Sequence, residues 1–213
     1  MGLLQQTTYN LAGNGQMPEV VSSQQASWNT LAMLGARPAL GRLFRSDDDR
    51  PQANATTVIS WGLWKRRYGS DPSIVGRTIM VDQKPYTVLG ILPSWFRYPD
   101  AHTQLWVPVY HERRPENMQS VDSHNFNVVA ELRPGVSRQQ GTAELSTIQR
   151  QIRQQHPDGP VNDAVNLRSI LDGEVREVKD GLYALLAATS CLLLIACLNI
   201  ANLLVARAAS RGA

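Results

Sequence analysis

Cysteine is scarce in this sequence, and the positions of the two cysteines exclude a disulfide framework. Cys191 and Cys197 are the only cysteines among 213 residues, and both fall within one long apolar run. On a helix they would lie about 9 Å apart along the axis, which is too far for an intrachain disulfide bond. The sequence before that run has no cysteine, so a cysteine-based metal site is excluded there as well.

Targeting and nucleotide-binding signatures are also missing. The N-terminal segment MGLLQQTTYN has neither the basic start nor the apolar stretch of a signal peptide. Gln6 occupies the position at which an N-myristoylation motif requires Ser or Thr. The sequence has no G-x-x-x-x-G-K-S/T loop, so this chain is not itself a P-loop ATPase.

Acidic residues are missing from the C-terminal end. All 18 of them precede the apolar run, which is followed by Arg207 and Arg211. Those two arginines account for most of the net charge of +3, so the rest of the chain is nearly neutral. A nucleic-acid-binding surface gathers lysine and arginine on one face. The charge balance therefore predicts no nucleic-acid partner.

The apolar run itself, Leu182–Ala206, contains no charged residue. A helix of about 25 residues measures about 37 Å, and the hydrocarbon core of a bilayer is about 30 Å thick. We therefore predict that this segment crosses a lipid bilayer as a tilted helix. The alternative is a helix buried in a large soluble core, although a soluble helix of this length normally has a polar face.

Two amide side chains share one face of the predicted membrane helix. At about 100° per residue, Asn199 and Asn202 fall on the same side as Ala188, Leu192, Ile195 and Ala206. Amides that face lipid leave polar groups unsatisfied, whereas amides between helices can hydrogen bond across the contact. We therefore predict a membrane-helix interface at Asn199 and Asn202. The alternative for Asn202 is a position close enough to the membrane surface to reach headgroups and water.

The region before the membrane helix contains several strand-like stretches. Residues 1–20 are polar and alternate only weakly, which leaves them open between strand fragments and a disordered lead-in. A hairpin is predicted over 78–91, but Asp82-Gln83 replaces the Asn-Gly or Asp-Gly of a tight two-residue turn. Further extended segments are predicted at 56–60, 104–109, 125–132 and 161–171.

Apolar residues at helical spacing predict three soluble helices, near 27–34, at 61–68 and from Ser137 to Pro157. In the last of these we expect Ile148 and Ile152 to pack against the sheet. A fourth helix is expected to begin within 174–180 and to continue into the membrane.

The helix at 61–68 combines aromatic and basic residues, which has two interpretations. Stacking aromatics beside cations can form a nucleic-acid platform. The simpler interpretation is an apolar face formed by Trp61 and Trp64, with Lys65, Arg66 and Arg67 in solvent.

No pattern identifies a catalytic, cofactor or metal site, and we assign no residue to any of them. The acidic run Asp47–Asp49 lacks the alternating ligands and central glycine of a calcium loop, so a turn or helix cap is the better interpretation. The side chains that could suggest a metal do not have metal-ligand spacing; they are His111, Glu112, Asp122 and His124.

Six segments follow one another along the chain: LGARPALGRLF, DDDRP, VISWGLWKRRYGSDPSIVGRTIMVDQKPYTVLGILPSWFRYP, LWVPV, FNVVAELRPGVSRQQGTAEL and LLLIACLNIANLLVARAASR. In this order they resemble the MacB-like periplasmic core domain and the start of the FtsX-like region of ABC transporter permeases. The resemblance covers roughly residues 20–213 and is closest to the large duplicated permeases common in acidobacteria. Such permeases have a membrane helix before this domain and more helices after it, so the resemblance implies a fragment.

The resemblance implies an α+β fold, with a mixed-sheet extracytoplasmic domain of two subdomains followed by one C-terminal transmembrane helix. On this basis residues 1–20 are a polar lead-in and 21–175 the periplasmic core domain. Residues 176–213 are the transmembrane helix, with its core at 182–206, and its basic cytoplasmic flank.

The resemblance also implies a function: a permease subunit whose periplasmic domain relays ATP-driven motion of membrane helices to a substrate or partner during export. Its partners would be other permease helices or subunits, a separate ABC ATPase subunit or domain, and the lipid bilayer. Flanking Lys and Arg mark the cytoplasmic side of a membrane helix. We therefore expect the bacterial inner membrane, with residues 1–180 outside the cytoplasm and Arg207 inside.

Two other classes of function remain open from the residues alone. The chain could be a membrane-anchored extracytoplasmic enzyme, or a solute-binding or sensor module on the same anchor. The transporter interpretation predicts that the chain is not an enzyme and needs no cofactor.

Overall fold

The structure, a computed structural model of the chain, describes residues 1–13, 16–110, 126–155, 165 and 167–209. Two compact units are formed, Met1–Ser137 with Gln151–Val161, and Arg138–Arg150 with Asn162–Ala213. The strands are β1 (Gly2–Gly13), β2 (Gln16–Ala26), β3 (Leu40–Gly41), β4 (Thr56–Ile59), β5 (Thr78–Val81), β6 (Lys84–Ile91), β7 (Leu105–Pro108) and β8 (Asn127–Val129). The helices are α1 (Thr30–Met33), α2 (Trp61–Tyr68), α3 (Arg138–Gln155) and α4 (Ile170–Ala209), with a 3₁₀ turn at Pro72–Ile74.

The eight strands form one mixed sheet whose pairings close on themselves. From β1 the order runs through β2, β7, β4, β6 and β5 and back to β1. The β2–β7 and β4–β6 pairs are parallel, and the other pairs are antiparallel. The short strands β8 and β3 pair with β1 and β6. The α+β class with a mixed sheet is confirmed.

Both faces of the sheet are packed. Because neighbouring residues of a strand point to opposite faces, the buried pair Val58 and Ile59 on β4 enters two different cores. We call them core one and core two. Core one includes Tyr9, Leu11, Val21, Ile59, Leu63, Val88 and Leu105. Core two includes Leu4, Ala26, Leu31, Phe44, Val58, Phe96 and Trp106.

The N-terminal segment is part of the folded sheet, so a disordered lead-in over residues 1–20 is wrong. These residues supply β1 and the first part of β2, which pair with each other from Leu4 and Ala26 to the end of the hairpin. The alternation was weak because β1 buries Leu4 in core two and then Leu11 in core one. A strand that changes its covered face halfway along loses the simple period of two.

The hairpin of β5 and β6 has a tight two-residue turn, although Asp82-Gln83 is not a sequence typical of such a turn. Val81 pairs with Lys84, which leaves only Asp82 and Gln83 in the loop, and both have positive φ, 45° and 64°. Positive φ is costly without glycine. Here the Asp82 carboxylate accepts hydrogen bonds from the backbone N–H (2.8 Å) and side-chain amide (3.0 Å) of Asn10. Contacts with β1 therefore hold a turn that local sequence does not favour.

The predicted helix at 61–68 is confirmed as α2, with both ends capped. The Ser60 hydroxyl accepts a hydrogen bond from the backbone N–H of Leu63, as an N-cap residue does. Gly69 follows with φ of 59° and ends the helix in a left-handed conformation.

The predicted helices after residue 137 are also present, but the packing expected for one of them is wrong. α3 begins at Arg138, yet Ile148 and Ile152 are 45% and 41% exposed. The covered residues of α3 are instead Gly141, which is buried, and Leu145, which is half-buried. α4 begins at Ile170, so the end of the extended segment predicted at 161–171 is helical; residues 161–164 lie outside the described residues.

Candidate functional site

The apolar part of α4, Gly181–Asn202, is the one described helix that is long and apolar enough to cross a membrane. None of the residues in this span is buried. This agrees with the predicted span at 182–206.

The polar residues of this span fall into two groups. The hydroxyls of Thr189 and Ser190 donate to backbone carbonyls of their own helix, with Thr189 Oγ1 3.0 Å and Ser190 Oγ 2.8 Å from the carbonyls of Leu185 and Leu186. The side chains of Asn199 and Asn202 are exposed, and within the described residues no hydrogen bond to either amide is found. The two asparagines thus carry the unmet hydrogen-bonding capacity of the span.

The acidic run forms a turn, as predicted, and each of its three carboxylates has a partner. Asp47 pairs with Arg50. Asp48 makes a two-pronged contact with the guanidinium of Arg42, at 2.6 and 3.0 Å, and accepts a hydrogen bond from the Arg45 backbone. The pairing with Arg42 and the bond from Arg45 lower the pKa of Asp48 against the opposing effect of burial, which is the largest single influence.

Asp49 is the buried member of the run, at 6% exposure. Its two carboxylate oxygens each accept a backbone N–H at 2.9 Å, one from Trp28 and one from Tyr110. Burial raises the pKa of Asp49, although the two backbone donors oppose that shift. The sequence could not identify this contact, because the two partners lie 21 and 61 residues away. The arrangement joins three loops and has the character of a structural anchor.

A second charged cluster joins α2 to β2. Glu19 accepts hydrogen bonds from Arg66 at 2.6 Å and from Arg67 at 3.0 Å, and these contacts, led by the bond from Arg66, lower its pKa. Arg67 was expected in solvent, but its side chain is 4% exposed. It also donates to the backbone carbonyls of Met17 and Leu11, at 3.2 and 3.3 Å. The carbonyls at the far end of the β1–β2 hairpin explain the burial, and nothing local in the sequence reveals them.

The aromatic residues of α2 support its interpretation as a packed helix face. The rings of Trp61 and Trp64 meet edge to face with centroids 4.8 Å apart, and the Trp64 indole N–H donates to the Asp71 carbonyl at 2.8 Å. Trp64 is buried in core one. A stacking platform requires an accessible ring face, which a buried ring does not offer.

The described residues contain no group of three or more His, Cys, Asp or Glu side chains that could hold a metal ion. The acidic and histidine side chains at 111, 112, 122 and 124 lie outside the described residues.

Comparison with known proteins identifies relatives of the whole fold. A sequence model described as the MacB-like periplasmic core domain matches residues 2–148. No curated protein matches the chain.

Solved structures of transporter domains are similar to this chain, among them the following three. The periplasmic region of MacB from Actinobacillus actinomycetemcomitans is 14% identical, with a TM-score of 0.55, over 82% of this chain and 75% of that one. The extracellular domain of a noncanonic ABC-type transporter, YknZ, from Gram-positive bacteria is 14% identical, with a TM-score of 0.52, over 78% and 80%. A domain of a putative permease protein from Porphyromonas gingivalis is 17% identical, with a TM-score of 0.54, over 83% and 82%. At such low identity, the structural similarity shows a shared fold alone.

Proposed function

The chain belongs to the family of MacB-like periplasmic core domains, and from that premise we propose that it works as part of an ABC transporter permease. Its extracytoplasmic domain relays ATP-driven motion of the membrane helices to a substrate or partner that is exported. The helix α4 is the first of an FtsX-like membrane region, of the kind found in duplicated acidobacterial permeases. Periplasmic domains of transporter permeases are not enzymes, and no residue receives a catalytic role.

This proposal rests on one observation, the succession of a folded domain and an apolar helix along the chain. A sheet domain with a core on each face is followed by an apolar helix whose span is exposed throughout. This arrangement is suited to an extracytoplasmic domain that moves together with the membrane helices. The energy source in this proposal is a separate ABC ATPase subunit or domain; residues 1–213 contain no phosphate-binding loop.

The proposed orientation follows from the charges at the two ends of the span. Arg207 follows it, whereas Asp172, Glu174, Glu177 and Asp180 precede it. Because flanking Lys and Arg favour the cytoplasmic side, we place residues 1–180 outside the cytoplasm and the C-terminus inside. The core domain, in this proposal, ends near residue 175.

Reporter fusions test this topology. With export started by a cleavable signal peptide, a fluorescent protein fused after Ala213 should fluoresce, and alkaline phosphatase fused there should be inactive. Phosphatase inserted after the exposed turn residue Gly135 should be active. Phosphatase activity after Ala213 would overturn the proposed orientation.

A distance measurement tests the relay of motion. Spin labels on a surface residue of the sheet domain, such as Lys84 in the hairpin, and on the lipid-facing side of α4 should change separation when the assembled transporter binds ATP. An unchanged distance distribution with and without ATP would contradict the relay.

The exposed amides of Asn199 and Asn202 support a proposal about the membrane region. We place them, with Ala188, Leu192 and Ile195, at a contact with another permease helix. Helix-to-helix amide hydrogen bonds contribute roughly 0.6–2 kcal/mol each in a bilayer, so the pair could decide whether α4 associates with a neighbour.

A further inference from the structure

Two buried hydrogen-bond donors lie side by side where β2 meets β7. Gln24 and Trp106 are direct partners in the parallel register of these strands, and they are 2% and 1% exposed. Among the residues that the structure describes, Gln24 Nε2 and Trp106 Nε1 have no hydrogen-bond partner. Both therefore depart from the rule that buried polar atoms are paired.

Their surroundings explain why no protein group pairs with them. Residues opposite each other in register have side chains on the same face of the sheet, and Trp106 lies in core two with Val58, Ala26 and Phe96. The ring of Phe96 is 6.0 Å from that of Trp106, edge to face. Apolar neighbours of this kind supply no acceptor.

The chemistry of the donors defines what would satisfy them. The indole N–H can only donate, and the amide –NH₂ also donates, so the missing group must accept two hydrogen bonds. A water molecule can do so, and buried waters typically make about three hydrogen bonds to groups that are otherwise unsatisfied. Thr56 Oγ1, on the neighbouring strand β4, is a third buried polar atom without a partner among the described residues.

We propose that Gln24 and Trp106 together bind one buried water molecule, which bridges β2 and β7 inside core two. β2–β7 is one of the two parallel pairs in the closed ring, and this bridge adds a side-chain connection to its backbone ladder. The competing arrangement is a rotated Gln24 amide whose oxygen accepts directly from the Trp106 indole, with no water between them.

Water contacts of the indole protons test the proposal in the full chain. All five tryptophans can be labelled with ¹⁵N, in detergent micelles or nanodiscs, and assigned by Trp→Phe variants. The Trp106 indole proton should show a cross-relaxation peak with a long-lived water. Trp64 is the internal control, because its indole already donates to a backbone carbonyl at 2.8 Å, and it should show none. A wild-type spectrum without a water peak at Trp106 would overturn the proposal, whether the pair is dry or directly bonded.

Gln24→Met tests the second half of the site. It removes the amide at similar volume, so the Trp106 water peak should be lost and the melting temperature should fall. The matched control is Gln25→Met on the opposite face, where Gln25 donates to the Tyr9 hydroxyl at 3.2 Å; it should leave the Trp106 peak unchanged. A higher melting temperature in Gln24→Met would mean that the amide was buried without any partner, and would also overturn the proposal.

Discussion

The sheet domain and the helix α4 differ in where their side chains find packing contacts and hydrogen-bond partners. In the sheet domain, residues as far apart as Leu11 and Leu105 meet in one core, and buried charges such as Asp49 have partners from distant loops. In α4 the residues of Gly181–Asn202 are all exposed, and the described hydroxyl contacts stay within the helix itself. The first region carries its own stabilising contacts, whereas the second depends on what surrounds it.

This difference determines which environment each region requires. Burial of apolar area from water stabilises the sheet domain in aqueous solution. The same term stabilises α4 only when lipid or other helices cover its leucines. Matched substitutions in the two regions should therefore have different effects. Because all five tryptophans precede α4, tryptophan fluorescence reports the unfolding of the sheet domain in the full chain.

The largest effect is expected from truncating the same side chain in each region. Leu63 is 0% exposed in core one, so Leu63→Ala should lower the free energy of unfolding by about 2–5 kcal/mol. Leu193, at 67% exposure in α4, is the control, and Leu193→Ala should leave the fluorescence-detected unfolding unchanged. Equal losses in denaturant titrations of the two variants would mean that α4 belongs to the same cooperative unit.

A glycine pair gives the next largest contrast. A Cβ at Gly90 would lie 2.4 Å from the Arg42 carbonyl oxygen, a backbone atom that cannot move aside, so Gly90→Ala should cost about 1–3 kcal/mol. A Cβ at Gly181 meets nothing within 4 Å, and Gly181→Ala should raise the stability of α4 by up to about 1 kcal/mol. Thermal unfolding followed by fluorescence and by helical circular dichroism separates the two, and a stable Gly90→Ala variant would show that β3 can leave β6.

The two neighbouring aspartates should show opposite pH dependence, which α4, without charge in its span, cannot show. The lowered pKa of Asp48 means that its contribution is present above the unfolded-state pKa and is lost as the pH falls through the folded-state pKa. The raised pKa of Asp49 means that its contribution is present below the unfolded-state pKa and is lost as the pH rises through the folded-state pKa.

Asp48→Asn and Asp49→Asn test this pair. The stability difference between wild type and Asp48→Asn should shrink as the pH falls below about 4, and that for Asp49→Asn should shrink as the pH rises above about 4, since an unperturbed Asp titrates near this value. Urea titrations across this range measure both differences. The same trend in both variants would contradict the opposite environments of the two carboxylates.

Local pattern was enough to predict α2, the hairpin of β5 and β6 and the apolar span of α4. The membrane helix was predictable because its signal is composition, which needs no knowledge of other residues. The contacts of Arg67 and Asp49 were not predictable, because each depends on backbone groups brought together by the closed sheet. The positive φ at Asp82 and Gln83 has the same origin, since Asn10 on β1 holds the turn.

The amphipathic pattern of α3 predicted the helix but not which of its residues are buried. A periodic stripe predicts which residues can pack but not how far a partner covers them, and Ile148 is 45% exposed. Ile148→Ala should therefore cost less than about 0.5 kcal/mol, as surface substitutions usually do. A loss in the range of Leu63→Ala, measured by the same denaturant titration, would restore the expected packing against the sheet.

Association of α4 in a bilayer most directly tests whether the exposed amides of Asn199 and Asn202 need hydrogen-bond partners from another helix. The full chain, labelled for energy transfer and diluted in lipid vesicles, should associate through Asn199 and Asn202, because a second copy is then the available source of amide partners. Asn199→Leu with Asn202→Leu should weaken association by roughly 1–4 kcal/mol, while the control Thr189→Leu with Ser190→Leu, whose hydroxyls bond to their own backbone, should not. Unchanged association in the asparagine variant, or an equal loss in the control, would contradict the account.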